Sequence, residues 1–217
     1  TAAFMLPIIH RIAEQPVQKE KKQSPKPAIL ILVPTRELAM QVADEAKKYS
    51  KHLPHIKTVC IYGGVPYPIQ RRALSTRYDI LVATPGRLLD HMEQKRIDLS
   101  QIKLLVLDEA DRMLDMGFID DVEHIASETP QERQTLLFSA TLDKKMQRIS
   151  QKLQKDPVEI RVEADRAAEK NIEQKLYYVD NRVHKMQILE HLIETVDFNQ
   201  TIIFTSTINQ ADEIANT

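Results

Sequence analysis

Tryptophan is absent, and aromatic residues make up only 5% of the 217 positions. A protein that holds nucleic acid by stacking bases on aromatic platforms needs more rings than this, so any such partner would be gripped by its backbone. Cysteine occurs once, as Cys60, which excludes an intrachain disulfide and fits a reducing, cytoplasmic setting. Cys60 sits in the apolar run Thr58-Val-Cys-Ile-Tyr62 and reads as a small core side chain. His52 and His55 stand nearby, but no second ligand pair completes a zinc site. No apolar run is long enough to span a bilayer, so no membrane partner is expected. No basic region precedes the apolar residues at the N-terminus, so no signal peptide is expected there. With a formal net charge of -1, the chain has no overall basic field either.

What is present is ordinary for a globular protein: 42% hydrophobic and 28% charged residues. The length suits one large domain, or one domain and part of another. Thr1 to Ile12 is helical in character, and Gln15 to Pro27, with Lys19, Lys21 and Lys22, reads as a polar surface loop. Apolar runs at Ala28–Val33, Lys57–Tyr62, Asp79–Ala83, Lys103–Leu107, Thr135–Phe138 and Val158–Val162 read as strands. Between them lie helical patterns. The first has Thr35 as its N-cap and runs to about Ser50, with Leu38, Val42 and Ala46 on one face. Others cover Ile69–Ser75, the stretch after Thr84-Pro85, the stretch after Asp111, and Asp143–Gln154. Strand alternating with helix predicts a parallel α/β sheet flanked by helices.

The stretch Lys103-Leu-Leu-Val-Leu-Asp-Glu-Ala-Asp111 organises the rest. An apolar strand buried on both faces ends in three carboxylates within four positions. Ligands of open α/β sheets bind beyond the carboxyl ends of the strands. There Asp108 can hold Mg2+ and Glu109 can take a proton from an attacking water. Taken alone, the same residues suit a strand running into an acidic, helix-capping turn. Polar groups follow the other strands too: Thr35-Arg36, Gly63-Gly64, Thr84 to Arg87, and Ser139 to Thr141. Each alone suits a cap or a turn; five on one rim make a binding surface. Two of the four glycines are spent together at Gly63-Gly64, which implies a tight turn or a close backbone approach.

Beyond this domain, Glu163 to Lys170 reads as a charged linker. Ile172 to Val179 alternates like a strand, and His184 to Thr195 reads as an amphipathic helix. Thr201–Thr205 reads as a buried strand, with a helix starting near Asn209. His184 and His191 are seven residues apart and suit surface positions better than a metal site.

The ordered set Pro34-Thr-Arg-Glu-Leu-Ala, Gly63-Gly64, Thr84-Pro-Gly-Arg87, Asp108-Glu-Ala-Asp111 and Ser139-Ala-Thr141 resembles the DEAD-box RNA helicases, their bacterial members most of all. Arg112-Met-Leu-Asp-Met-Gly-Phe118 and Thr201-Ile-Ile-Phe-Thr-Ser206 extend the resemblance over nearly the whole chain. Each motif alone is short and degenerate; the ordered set is specific. The resemblance implies a RecA-like ATP-binding domain over 1–163, a linker at 164–170, and the start of a second RecA-like domain at 171–217. It implies ATP and Mg2+ as cofactors and RNA as a partner, held by its backbone without sequence reading. By the same resemblance Asp108 positions Mg2+, while Glu109 orients and deprotonates water. Asp111 links the ATP site to Ser139 and Thr141, which couple hydrolysis to strand separation. Pro34, Thr35, Arg36, Gly63, Gly64, Thr84, Pro85, Gly86 and Arg87 form the RNA-contacting set. Thr1 resembles the last residue of the family's phosphate loop, whose hydroxyl ligates Mg2+ and contacts the nucleotide.

The loop's glycines and lysine, the adenine-reading segment and the later motifs of the second domain do not occur in this sequence. These 217 residues alone are therefore expected to hydrolyse little or no ATP. Two other readings remain: a non-catalytic RNA-binding or regulatory module, and a DNA-directed or other phosphate-loop ATPase. Binding alone does not need Glu109, which disfavours the first. The pairing of Ser139-Ala-Thr141 with Thr84-Pro-Gly-Arg87 disfavours the second, by resemblance.

Overall fold

The computed structural model describes residues 1–14, 26–162, 173–195 and 199–216. They divide into two compact units, Thr1–Glu159 and Ile160–Thr217. Lys19, Lys21 and Lys22 of the expected polar loop and the expected linker at 164–170 lie outside the described residues.

The first unit runs α1 (Ala2–Ala13), β1 (Ile29–Leu32), α2 (Arg36–Tyr49), β2 (Thr58–Ile61), α3 (Tyr67–Leu74), β3 (Ile80–Ala83) and α4 (Pro85–Glu93). It continues with β4 (Leu104–Leu107), α5 (Ala110–Asp115), α6 (Ile119–Ser127), β5 (Gln134–Leu137) and α7 (Lys144–Leu153). All five strands are parallel, in the order β2-β3-β1-β4-β5. Chirality then decides which helix covers which face. The step from β1 to β2 moves one way across the sheet, and every later step moves the other way. Right-handed crossovers therefore put α2 on one face and the later helices on the opposite one.

The core follows this division. Alternate residues Ile29, Ile31, Ile80, Val82, Leu104 and Val106 pack with α1 and with Ala39, Val42, Ala43 and Ala46 of α2. Their neighbours Leu30, Leu32, Leu81, Leu105 and Leu107 pack with Leu74, Leu88, Met113, Ile125, Met146 and Ile149. That is the two-residue alternation of a pleated strand covered on both faces. Leu105 is fully buried, and its truncation to alanine is expected to cost about 2–5 kcal/mol. Cys60, on the edge strand β2, is half-buried with its Sγ 3.3 Å from the Ala39 carbonyl; burial pushes its thiol up to about 12.

The expected single helix after Asp111 is two. Gly117, at φ +78°, ends α5: its amide bonds the Leu114 carbonyl at 3.0 Å and the Phe118 amide bonds the Met113 carbonyl at 2.9 Å. This left-handed, glycine-based stop leaves α6 to start afresh. The strand expected at Val158–Val162 does not form. Its apolar side chains are 84–89% exposed, because an alternating pattern makes no strand without a ladder to join.

In the second unit, the described parts of the strands expected at Ile172–Val179 and Thr201–Thr205 are likewise not strands, and Tyr178 and Phe204 are exposed. The two helices do form: α8 (Arg182–Thr195) and α9 (Ile208–Ala215). A helix closes its own hydrogen bonds, whereas a buried strand borrows them from neighbours. Asn181 Oδ1 accepts from the His184 amide at 2.9 Å, Thr207 Oγ1 accepts from the Gln210 amide at 3.2 Å, and Arg182 pairs with Glu213. The apolar residues of α8 are spread widely round its axis rather than in the single stripe expected. His184 Nδ1 faces Asp180 Oδ2 at 3.1 Å.

Candidate functional site

Strand register builds the site. Leu32 pairs with Ala83 and with Leu107, Ala83 with Ile61, and Leu107 with Leu137. All five strands therefore end in one row. With strands about 4.8 Å apart, the row is roughly 19 Å across. The five polar clusters singled out in the sequence follow these ends, so the structure brings them onto one rim.

Beyond β4 the rim is acidic. The Asp108 amide continues the ladder to the Leu32 carbonyl at 3.0 Å. Burial, with the adjacent Glu109 charge adding to it, raises the Asp108 carboxyl above its ordinary value. Glu109 then adopts φ 54° and ψ 51°, a left-handed conformation that costs a non-glycine residue about 1–2 kcal/mol. The surroundings hold it there: the Ala110 amide bonds the Phe138 carbonyl at 3.0 Å. The Glu109 carboxylate is 42% exposed and faces Arg112 Nη1 at 3.4 Å.

Asp111 reaches across to the turn after β5. Its Oδ2 accepts from the Thr141 amide at 3.1 Å and from the Thr141 hydroxyl at 3.2 Å. Ser139 Oγ donates to the Thr141 carbonyl at 2.6 Å, so three of the singled-out residues form one chain of hydrogen bonds. Thr1 caps α1, its carbonyl accepting from the Met5 amide at 3.0 Å. Phe4 packs on Phe138 with ring centroids 5.2 Å apart, which ties the start of α1 to the end of β5. Among the described residues no three His, Cys, Asp or Glu converge on a possible metal. A cation at Asp108 would share its coordination with substrate oxygens and water, as Mg2+ commonly does. The half-buried, desolvated Asp108 carboxylate fits such an ion.

Beyond β1, β2 and β3 the rim is neutral to basic. Thr35, following Pro34, caps α2 by accepting from the Leu38 amide at 3.3 Å. The Arg36 guanidinium lies against Gly63 and Gly64. Gly64 adopts φ +91°, which is why glycine is favoured there; a Cβ on it would also stand 2.6 Å from Arg36 Nη1, the end of a flexible side chain that would have to move aside. Thr84 caps α4 by position, with Pro85 at the first helical place, and its side chain makes no capping bond. A Cβ on Gly86 would meet nothing within 4 Å, so backbone is open at that point. Arg87 turns inward: Nη1 donates to the Val65 carbonyl at 2.8 Å and to Gln70 Oε1 at 3.3 Å, and Nε lies 3.4 Å from Asp90 Oδ2. Its guanidinium also sits 4.3 Å from the centre of the Tyr67 ring.

Gln70, His91, Tyr67 and Asp90 were not singled out in the sequence. Gln70 and His91 are 3% and 0% exposed. The available clue is position: Gln70 shares the inward face of α3 with Leu74, and His91 that of α4 with Leu88, where apolar residues are expected.

The DEAD/DEAH box helicase family matches residues 1–149. The chain is similar to the ATP-dependent RNA helicase SrmB of Escherichia coli K12, with 43% identity over 217 residues, 100% of this chain and 48% of that protein. It is similar to the ATP-dependent RNA helicase DeaD of Klebsiella pneumoniae, with 42% identity over 99% of this chain and 32% of that protein. Among solved structures it is similar to the yeast DEAD-box splicing factor Prp28, with a TM-score of 0.69 and 32% identity over 99% of this chain and 50% of that one. The chain thus spans half or less of the length of these relatives. The five-stranded parallel sheet with helices on both faces is RecA-like, and the chain belongs to the DEAD/DEAH box helicase family.

Proposed function

We propose that the protein carrying this chain is an ATP-dependent RNA helicase, in which RNA-stimulated ATP hydrolysis drives local duplex unwinding. The observation that carries the reading is the pair of hydrogen bonds from Thr141 to Asp111. They join the acidic turn to the Ser139–Thr141 turn, so a change at one is felt at the other. Asp108 and Thr1 are the residues that would hold Mg2+. When bound, the ion would neutralise phosphate charge beside the desolvated Asp108 carboxylate. Glu109, held in its left-handed turn, accepts the proton of the attacking water. Pro34, Thr35, Arg36, Gly63, Gly64, Thr84, Pro85 and Gly86 offer helix-start amides, hydroxyls and one free-facing glycine backbone to a phosphate chain. Arg87 belongs to the same surface and braces it from within. Residues 1–163 form the ATP-binding domain, 164–170 the linker, and 171–217 the beginning of a second RecA-like domain, in a cytoplasmic protein.

Glu109→Gln tests this on the protein that carries the chain. Loss of the base is expected to lower RNA-stimulated ATP turnover roughly a hundred- to ten-thousandfold, with RNA and ATP affinity retained. Unchanged turnover in this variant would sink the catalytic reading and favour a binding module.

A further inference from the structure

The Gly63-Gly64 turn is gripped on both sides by side chains from two different helices. Gln70, on α3, donates Nε2–H to the Tyr62 carbonyl at 2.8 Å, immediately before the glycines. Arg87, on α4, donates to the Val65 carbonyl at 2.8 Å, immediately after them. The bond to Tyr62 fixes which way the Gln70 amide points, so its Oε1 faces Arg87 Nη1 at 3.3 Å and His91 Nε2 at 2.9 Å. An amide oxygen only accepts, so the uncharged His91 ring must carry its proton on Nε2. Tyr67 closes the cluster. Its ring lies on the Arg87 guanidinium and edge-on to His91, with centroids 5.5 Å apart, and its hydroxyl donates to Asp90 at 2.8 Å.

We infer that Gln70 and His91 are positioning residues that hold the Gly63-Gly64 turn and the Thr84–Arg87 helix start at one spacing, and that this spacing sets how firmly an RNA backbone is held. The inference rests on the RNA reading given above. Phosphates of one backbone are covalently tethered, so two cradles serve them together best within a limited range of separations. A buried polar bridge fixes that separation more sharply than apolar packing, since each of its groups has one satisfactory partner.

The same geometry gives the bridge a pH limit. His91 Nδ1 is buried and has no hydrogen-bond partner among the described residues. A second proton there would place a charge in a buried site facing Arg87, Arg96 and Arg71, with Asp90 the opposing carboxylate among the described residues. Burial first, then those cations, hold the imidazole below its ordinary value of 6.5. A lowered folded-state value means that the contribution of neutral His91 is present above that ordinary value and is lost as pH falls through the lowered one. Acid therefore loosens the bridge.

The test measures binding of a fluorescently labelled single-stranded oligouridine to the 217-residue chain, from neutral pH down through the imidazole range, with thermal melts as a folding control. Gln70→Leu is expected to lose about tenfold in affinity at neutral pH while staying folded. His91→Gln supplies a neutral donor in place of Nε2; it is expected to keep affinity within about twofold and to flatten the acid loss seen with the unmodified chain. Equal binding by folded Gln70→Leu, or an acid loss that persists in His91→Gln, overturns the inference and leaves the RNA reading intact. If Gln70→Leu does not fold, the two pH profiles decide. No binding by the unmodified chain at any pH would remove the RNA surface itself, and the inference with it.

Discussion

Beyond β4 and β5 the rim carries three carboxylates in four positions, while beyond β1, β2 and β3 it carries two arginines, three glycines and two capping threonines. Both halves stand on strands of equal length and aligned register, so the sheet itself treats them alike. They differ in how the charge is kept. Glu109 is ion-paired at the surface on a strained backbone, and Asp108 is partly desolvated, so the acidic half is held away from its own electrostatic optimum. Arg87, by contrast, is 12% exposed and hydrogen-bonded to protein groups, and Arg36 lies over a glycine turn. One half is left with unmet demand for a cation; the other is internally satisfied and presents backbone. Such an asymmetry suits a rim where charge changes on one side and a polymer slides or docks on the other.

Among variants that leave Glu109 in place, breaking the link between the two turns of the acidic half should have the largest effect. Asp111→Asn removes the charge that holds Thr141. A charge-assisted hydrogen bond contributes about 1.5–3 kcal/mol, so RNA stimulation of ATP turnover in the parent protein is expected to fall roughly ten- to a hundredfold. Turnover without RNA should change far less. Equal losses with and without RNA would show that Asp111 serves the chemistry itself and not the coupling.

Gly64→Ala sharpens the contrast from the basic side. It forces φ +91° on an L residue and displaces Arg36, at about 1–2 kcal/mol of stability. RNA affinity should drop about tenfold with nucleotide affinity intact. If nucleotide affinity falls in step, the two halves are not separable.

The smallest effect on stability has an unusual sign. Because burial raises the Asp108 carboxyl, its ionised form is disfavoured in the folded chain, and that penalty grows as pH rises through the raised value. Asp108→Asn is expected to raise the melting temperature of the unliganded chain by a few degrees at neutral pH and to leave it unchanged in acid. Mg2+-dependent nucleotide binding should be lost in the same variant. A lower melting temperature at neutral pH would mean that Asp108 is stabilised by contacts rather than held ready for a cation.

How much of this was legible in the sequence depended on who supplies the hydrogen bonds. Leu104–Leu107 read correctly as a doubly covered strand, and Ile80–Ala83 as a strand, because each is apolar throughout. Val158–Val162 alternates and Thr201–Thr205 is apolar at its centre, yet a pattern does not say whether a neighbouring strand is there to receive it. The carboxylates and threonines of the rim stood out because they break apolar runs abruptly. Gln70 and His91 did not, since a lone polar residue within a mixed helix resembles surface. Only burial shows that they face inward. Gly117, between Met116 and Phe118, splits one expected helix into two, and a single glycine gives little warning in the sequence of a left-handed stop.

The half-buried thiol of Cys60 has a practical consequence. With its proton held tightly and its sulfur against the Ala39 carbonyl, it will react slowly with maleimides and similar reagents at neutral pH. A single cysteine introduced at an exposed position, such as Met116, can therefore carry a dye or spin label without removal of the native one. Because the chain has no tryptophan, one introduced indole would likewise report without background. The molecule is in effect already prepared for spectroscopy of its own rim.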